Sequence, residues 1–337
     1  MDLAKECELV RQAAGLNQVT TSGGDGEGYL ELEGKDALHF LHRMLANDVR
    51  PLGVGDGRRS LLLDLKGHVT ADLSVLRTGE EAVALIVARG GRQEAFTTLA
   101  KYGIADAFEI FDRTDEHVIF TVQGPRALEA VASLVADPIA LAKELSHTRT
   151  KVAGHEARIV RHDRSGLGGL DVIVPMTVPS DAFASLHEAL LQAVAKVGGG
   201  LISATTLHTL WLESGRPRFG ADFGSETIPQ EARLEEASAD AMSFDKGCFF
   251  GQEVVARLRF RGHVNKLLVG LVLDGLEPPG TALKKDGKDV GKITSIADSP
   301  RLGKTIALGY VRRELASDGT VLDAAMGRAT VVPRPFV

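Results

Sequence analysis

"RRSLLLDLKGHVTADLSVLRTGEEAVALIVAR" (residues 58–89) contains three short β-rich runs. Two turn signals, Lys66-Gly67 and Thr78-Gly79-Glu80, separate them. The pattern predicts a three-strand antiparallel meander. Upstream, "EGKDALHFLHRMLANDV" (33–49) places Leu38, Leu41, Met44 and Leu45 at helical spacing, with Asp36 as candidate N-cap. Downstream, a helix is expected from about Arg92 to Tyr102, then a strand near Phe108 to Phe111. "HVIFTVQGPRALEAVASLVA" (117–136) predicts a strand and then a helix opened by Gly124-Pro125. "KVAGHEARIVRH" and "GGLDVIVP" predict strands, and Asp181 to Ala195 a helix. Residues 203–214 predict another helix, capped by Ser203 or Thr205. Strands and helices alternate irregularly with several hairpins, which favours an α+β fold over a doubly wound parallel sheet.

From Val264 the character changes. About seven short β runs, punctuated by Gly, Asp and Pro, predict a small closed barrel over 264–337. With 337 residues, two or three domains are expected. The chain is 44% hydrophobic and 25% charged, as soluble globular proteins are. Two cysteines exclude a disulfide framework and a four-cysteine metal site within one chain. The N-terminus "MDLAKECELV" has no secretory pattern, and no apolar run is long enough to span a bilayer. A cytoplasmic, reducing setting is expected. The net charge of −6 argues against direct nucleic-acid binding. The one dense basic cluster, Arg257, Arg259, Arg261, His263 and Lys266, suits either a solvated helix face or a local anion site.

Chemistry-bearing residues are sparse. No nucleophile elbow or Walker loop is present, and "GVGDG" (53–57) fits a turn. His39 and His42 lack partners at metal spacing. Cys248 lies just before an expected helix, Gly251 to Arg261, where the dipole favours a thiolate, and Lys246 adds positive charge. The competing reading is inert packing, the usual state of a free cysteine. Cys7 is assigned no role. Asp64 and Asp72 sit on consecutive strands of the hairpin, and Asp72, like Asp171, interrupts an apolar strand. A carboxylate there needs a partner or ligand, or else faces solvent. Its two oxygens suit the ring nitrogen and exocyclic amine of a pterin or pyrimidine. Arg216 and Arg218 could each clamp a carboxylate in two-pronged fashion.

"KGCFFGQEVVAR" (246–257) resembles the signature Lys-Gly-Cys-[Phe/Tyr]-x-Gly-Gln-Glu of the YgfZ family of folate-binding proteins. These are relatives of the glycine-cleavage T-protein, an aminomethyltransferase. "GKDALHFLHRMLANDV", "LLLDLKGHVTADLSVLRT", "VQGPRA", "LESGRPRFGADF", "PQEARLE" and "VGKITSIADSPRLGKTIALGYV" are similar to the wider superfamily, so the likeness covers roughly residues 28 to 332. It implies two ferredoxin-like α+β domains built from interleaved segments, plus a C-terminal antiparallel β-barrel. These would form a three-lobed ring with a central channel for tetrahydrofolate. The implied division is 1–50 with about 115–263 as folate-binding lobes, about 51–114 as their hairpin and helix part, and 264–337 as barrel.

The resemblance also implies a role in assembly or repair of iron–sulfur enzymes, with iron–sulfur client or assembly proteins as partners. Cys248 would be the functional thiol and Lys246 would tune it. Gln252 and Glu253 complete the signature as folate-binding candidates. In the T-protein hairpin two adjacent aspartates occur and one is catalytic; here Ala71-Asp72 stands, so one is missing, which counts against ordinary T-protein catalysis and leaves Asp72 as the catalytic candidate for a transferase. Asp171 stands where the T-protein has a glutamate, and Leu170 where it has a tyrosine, which implies either pterin contact by Asp171 or a shifted ligand. Arg216 is the candidate for the folate glutamate tail. The alternative functions are a folate-dependent one-carbon transferase (aminomethyltransferase or demethylase) and a non-catalytic scaffold of the same fold.

Overall fold

The computed structural model describes residues 2–19, 26–176, 180–236 and 240–336. Helix α1 (Leu3–Gln12) leads into β1 (Gly15–Val19), whose antiparallel partner lies far along the chain, Val19 opposite Ile119. Between them the chain builds a complete second sheet. Its elements are β2 (Gly28–Glu33), α2 (Ala37–Met44), β3 (Gly57–Leu63), β4 (Val69–Gly79), β5 (Ala82–Val87), α3 (Arg92–Tyr102) and β6 (Glu109–Asp112). The five strands are antiparallel in the order β3-β4-β5-β2-β6, with β3-β4-β5 the expected meander.

The chain then returns to the first sheet. β7 (His117–Gln123), α4 (Ala127–Ala132), β8 (His147–Val152), β9 (His155–Arg161), β10 (Gly169–Pro175), α5 (Ser180–Lys196) and β11 (Gly200–Leu201) complete the order β11-β1-β7-β10-β9-β8. Helix α6 (Ala204–Glu213), an irregular linker and α7 (Gln252–Arg261) follow. The chain ends in a closed antiparallel barrel of β12 (Lys266–Leu273), β13 (Ala282–Lys285), β14 (Lys288–Ser299), β15 (Lys304–Arg312), β16 (Val321–Asp323) and β17 (Arg328–Val332). The fold is therefore α+β with a barrel. The split expected at residue 50 does not follow the sheets. β2 and α2 precede it, yet β2 pairs with β5 and β6.

The two sheets pack face to face, with helices outside. In β4, Ala71, Leu73 and Val75 face α2 and α3, while Leu76 joins Tyr29, Ala84 and Ile86 against Ile119, Val160 and Ile173 of the first sheet. Phe120, Val122, Val172 and Val174 face the other way, onto α4 and α5. β7 and β10 are thus covered on both faces, and so read as continuous apolar runs rather than alternating ones. By strand parity Asp72 shares the inter-sheet face with Leu76, and Asp171 shares it with Ile173. A third cluster ties the hairpin (Leu61, Leu63, Val69) and linker (Phe223, Leu234, Phe249) to the barrel (Leu268, Ile306, Leu308).

Ser203, not Thr205, caps α6 by accepting from Thr206 N at 3.2 Å. Asp36 takes the N-cap position of α2, but its side chain makes no capping bond; its Oδ2 accepts from Ala107 N at 2.9 Å and ties α2 to the loop before β6. Cys7 is a core residue, and burial pushes its thiol up to about 11. Beside it the buried Glu213 carboxylate accepts from Arg11 of α1 and Ser299 of the barrel, joining three elements.

His147 is a buried link between the two sheets' lobes. Its backbone N–H donates to Gly55 O at 2.7 Å, and its Nδ1 lies 2.9 Å from Arg158 Nη1. Burial, and then the Arg158 charge, lower its pKa to about 4. The folded chain therefore binds fewer protons than the unfolded chain between that value and an ordinary histidine's, so stability present above pH ~6.5 is lost as pH falls toward 4. In urea unfolding at pH 7 and pH 4.5, His147→Gln is expected to lose about 2 kcal/mol less than the unsubstituted protein. An equal loss would refute this role.

Candidate functional site

Two carboxylates lie on the inter-sheet face, and each is held by an arginine. Asp72 on β4 meets Arg59 on the neighbouring β3, which donates from Nε to Oδ1 at 2.9 Å and from Nη2 to Oδ2 at 2.7 Å. The pair is only partly covered, with side-chain exposures of 12% for Asp72 and 22% for Arg59. Two parallel charge-assisted bonds fix the carboxylate plane. Each oxygen keeps an acceptor lone pair.

Asp171 on β10 is fully buried. Arg164 donates to it from Nε, 3.0 and 3.1 Å from the two oxygens, and from Nη2 at 2.7 Å. His162 Nδ1 lies 2.8 Å from Oδ2. Burial alone would raise the Asp171 pKa, but the Arg164 and His162 charges outweigh it and hold the carboxyl well below the usual range. The other edge of Arg164 reaches Glu27, just before β2, at 2.6 and 2.8 Å. Gln123 accepts from Arg164 N at 2.7 Å and donates to Thr121 and to His162 O. An Asp171 open to a pterin is therefore not what the structure contains; its oxygens are already engaged. Arg164, Glu27 and Gln123 escaped the sequence reading. Arg164 follows β9 by three residues and could have been flagged as Asp171's hairpin neighbour, but nothing local points to Glu27.

Arg216 does not stand free either. It donates to Asp163 O at 2.9 Å and Asp163 Oδ2 at 2.8 Å, and its guanidinium lies over Trp211. It thereby pins the loop that carries Arg164, with its side chain still 38% exposed. Arg218 N donates to Asp222.

The signature loop packs against the same β3–β4 hairpin, through Phe249 on Leu61 and Leu63. Lys246 is buried, and its ammonium donates to His42 O, Leu45 O and Asn47 O at the C-terminal end of α2. Burial draws its pKa down to about 8, against the pull of Asp48. The expectation that Lys246 tunes the thiol is replaced by a pinning role. Its charge is committed to carbonyls that the end of α2 leaves without partners, which is favourable at a helix C-terminus. Phe249 inserts into the hairpin–barrel cluster, where burial contributes about 2–3 kcal/mol. Phe250 packs beside Tyr102 on the opposite side. Cys248 stands between these anchors and is exposed. It is not packing.

Gln252 closes the turn: its Oε1 accepts from Phe249 N at 3.1 Å and its own N donates to Phe249 O. Glu253 is exposed on the first turn of α7. Gln252 is thus committed to the loop. Phe249 packs with Leu61, which stands opposite Asp72 in the β3–β4 pair, whereas Phe250 packs on the other face of that sheet. In the basic cluster, Arg259 stacks on Phe244 at 4.1 Å and Lys266 pairs with Glu231 at 3.5 Å, whereas Arg257, Arg261 and His263 are exposed. Among the described residues no group of three or more His, Cys, Asp and Glu could hold a metal, and no helix is long and apolar enough to cross a membrane.

Comparison with known families and proteins covers almost the whole chain. The GCVT N-terminal domain matches residues 2–239, and the glycine cleavage T-protein C-terminal barrel domain matches 266–337. The aminomethyltransferase of Saccharopolyspora erythraea is 30% identical over 334 residues, 98% of this chain and 87% of that protein. That of Chloroherpeton thalassium is 31% identical over 340 residues, 98% and 90% of the two chains. The crystal structure of glycine cleavage system aminomethyltransferase T from Bartonella henselae superposes with a TM-score of 0.84 at 23% identity, covering 99% of this chain and 89% of that one, which shows a shared fold.

Proposed function

This chain belongs to the glycine-cleavage T-protein family, and on that premise we propose that it is a tetrahydrofolate-dependent one-carbon transferase of the aminomethyltransferase kind. The observation that carries the reading is Asp72, an arginine-clamped carboxylate on the inter-sheet face that keeps acceptor capacity and borders solvent. When bound, tetrahydrofolate supplies the nitrogen that receives the carbon unit. The residues present suit such a ligand. Asp72 offers a fixed negative charge to orient a ring nitrogen and to hold a proton leaving it. Arg216, partly exposed, offers a cation to the glutamate carboxylates. Arg59 keeps the Asp72 oxygens in one plane, so the acceptor is preorganised rather than ordered on binding.

A second reading, support of iron–sulfur enzyme assembly or repair, is favoured by one observation. Cys248 is an exposed thiol on a loop anchored by Lys246, Phe249 and Phe250. A single thiolate cannot hold a cluster that takes four ligands, so this reading needs a partner-supplied site. A cytoplasmic setting suits an exposed free thiol.

The deciding experiment titrates the purified protein with tetrahydrofolate, then measures methylene-tetrahydrofolate formation from an aminomethylated lipoyl protein. Saturable binding with turnover is expected, and Cys248→Ser is expected to retain that turnover. Binding without turnover, together with loss of iron–sulfur enzyme activities in cells carrying Cys248→Ser, would transfer support to the second reading. Absence of any folate binding would leave only a scaffold.

A further inference from the structure

The Asp171 carboxylate is already occupied by a group of the chain's own. Arg164 meets it edge-on, with Nε and Nη2 as two parallel donors on one planar N–C–N unit. A 2-amino-4-oxopyrimidine ring presents the same unit, a ring N–H beside an exocyclic amine, at the same spacing. Loop residues 162–168 hold the guanidinium in place: Gln123 takes Arg164 N, and Arg216 grips Asp163. Arg164 also spans the two sheets, because its outer edge is bonded to Glu27 beside β2.

Resting on the folate reading, we propose that Arg164 is an internal stand-in for the ligand's ring edge. It closes the Asp171 acceptor in the free protein, and pterin binding exchanges one planar two-donor unit for another. The exchange is physically balanced. Asp171 buried without a partner would be costly, so the site is never empty: either the guanidinium or the ligand edge satisfies both oxygens. His162 keeps its contact with Oδ2 throughout, since each carboxylate oxygen accepts two bonds. Glu27 holds the displaced guanidinium through Nη1, the one of its two donors to Glu27 that does not also bond Asp171. Arg164 is then a specificity-determining residue. A ligand lacking two adjacent donors cannot replace it, and the apparent affinity of one that has them is the intrinsic affinity multiplied by the fraction of molecules in which Asp171 is open.

The test measures equilibrium binding of pterin and of tetrahydrofolate to the full chain and to Arg164→Ala. Arg164→Lys is included because it keeps the charge and the fold while losing the planar two-donor edge. Both variants are expected to bind pterin more tightly, by ~10-fold for Arg164→Ala and by less for Arg164→Lys. Adding Asp171→Asn to Arg164→Lys is expected to abolish the gain. Millimolar guanidinium ion is expected to compete with pterin in Arg164→Ala and not in the unsubstituted chain. Unchanged or weaker pterin binding in Arg164→Lys overturns the exchange, even if Arg164→Ala does not fold. If tetrahydrofolate binds the unsubstituted chain while neither variant gains pterin affinity, the exchange fails and the folate reading stands. If no form binds tetrahydrofolate but Arg164→Ala binds pterin against guanidinium, the folate reading fails and the internal occupant stands.

Discussion

Asp72→Asn is expected to lower one-carbon transfer by about 10²–10⁴-fold while leaving the protein folded. The substitution is nearly isosteric. It removes the negative charge and turns one acceptor toward Arg59 into a donor, so one of the two Asp72 acceptors of the guanidinium is lost. If Asp72 stabilises charge at the reacting nitrogen, the loss falls on kcat more than on KM, because the interaction is made mainly in the transition state. Steady-state kinetics with tetrahydrofolate binding measured alongside separates this from a binding defect. The pair is partly exposed, so the stability cost is expected to be modest and visible as a small shift in urea midpoint. Turnover unchanged in a folded Asp72→Asn would remove Asp72 from the chemistry.

The second large effect is expected at Gly251, the N-cap of α7. Its φ of +77° lies in the left-handed region, which costs a side-chain-bearing residue about 1–2 kcal/mol. A Cβ there would also run into the Asp64 carbonyl and lie 2.9 Å from Leu63 Cβ, both on the hairpin beneath. A backbone carbonyl at a strand end cannot give way cheaply. Gly251→Ala is therefore expected to destabilise the protein by about 3 kcal/mol or more, with hydrogen exchange rising first in the Cys248 loop and the hairpin turn. Gly247 supplies the comparison. Its φ is +92°, yet a Cβ there meets nothing within 4 Å, so Gly247→Ala carries only the conformational cost. Equal losses at the two glycines would mean that the contact with the hairpin contributes nothing.

These two residues also mark how far the chain can be read without coordinates. The meander, the helices at 92–102 and 252–261 and the barrel strands were legible because each rests on a period of two or 3.6 and on local turn chemistry. Asp72 was legible as a candidate because a charge within an apolar strand is anomalous on local grounds alone. Gly251 was legible only as part of a signature; that it must be glycine follows from a hairpin nearly two hundred residues earlier in the chain.

Roles that depend on distant partners were misread. Lys246 stands two residues from Cys248, and adjacency suggested electrostatic tuning. Its ammonium instead binds carbonyls 199 to 204 residues away. Asp171 was expected to need a partner or a ligand, and the partner is Arg164, which reaches on to Glu27 at a separation of 137 residues. The sequence by itself determined which segments are strands and helices, where the barrel begins and which side chains could carry chemistry, since backbone preference and apolar period act between near neighbours. Only the tertiary structure decided which sheet β2 joins and which charges are already satisfied. Those depend on how two sheets close face to face, and the pairing of buried charges across that seam leaves no local pattern.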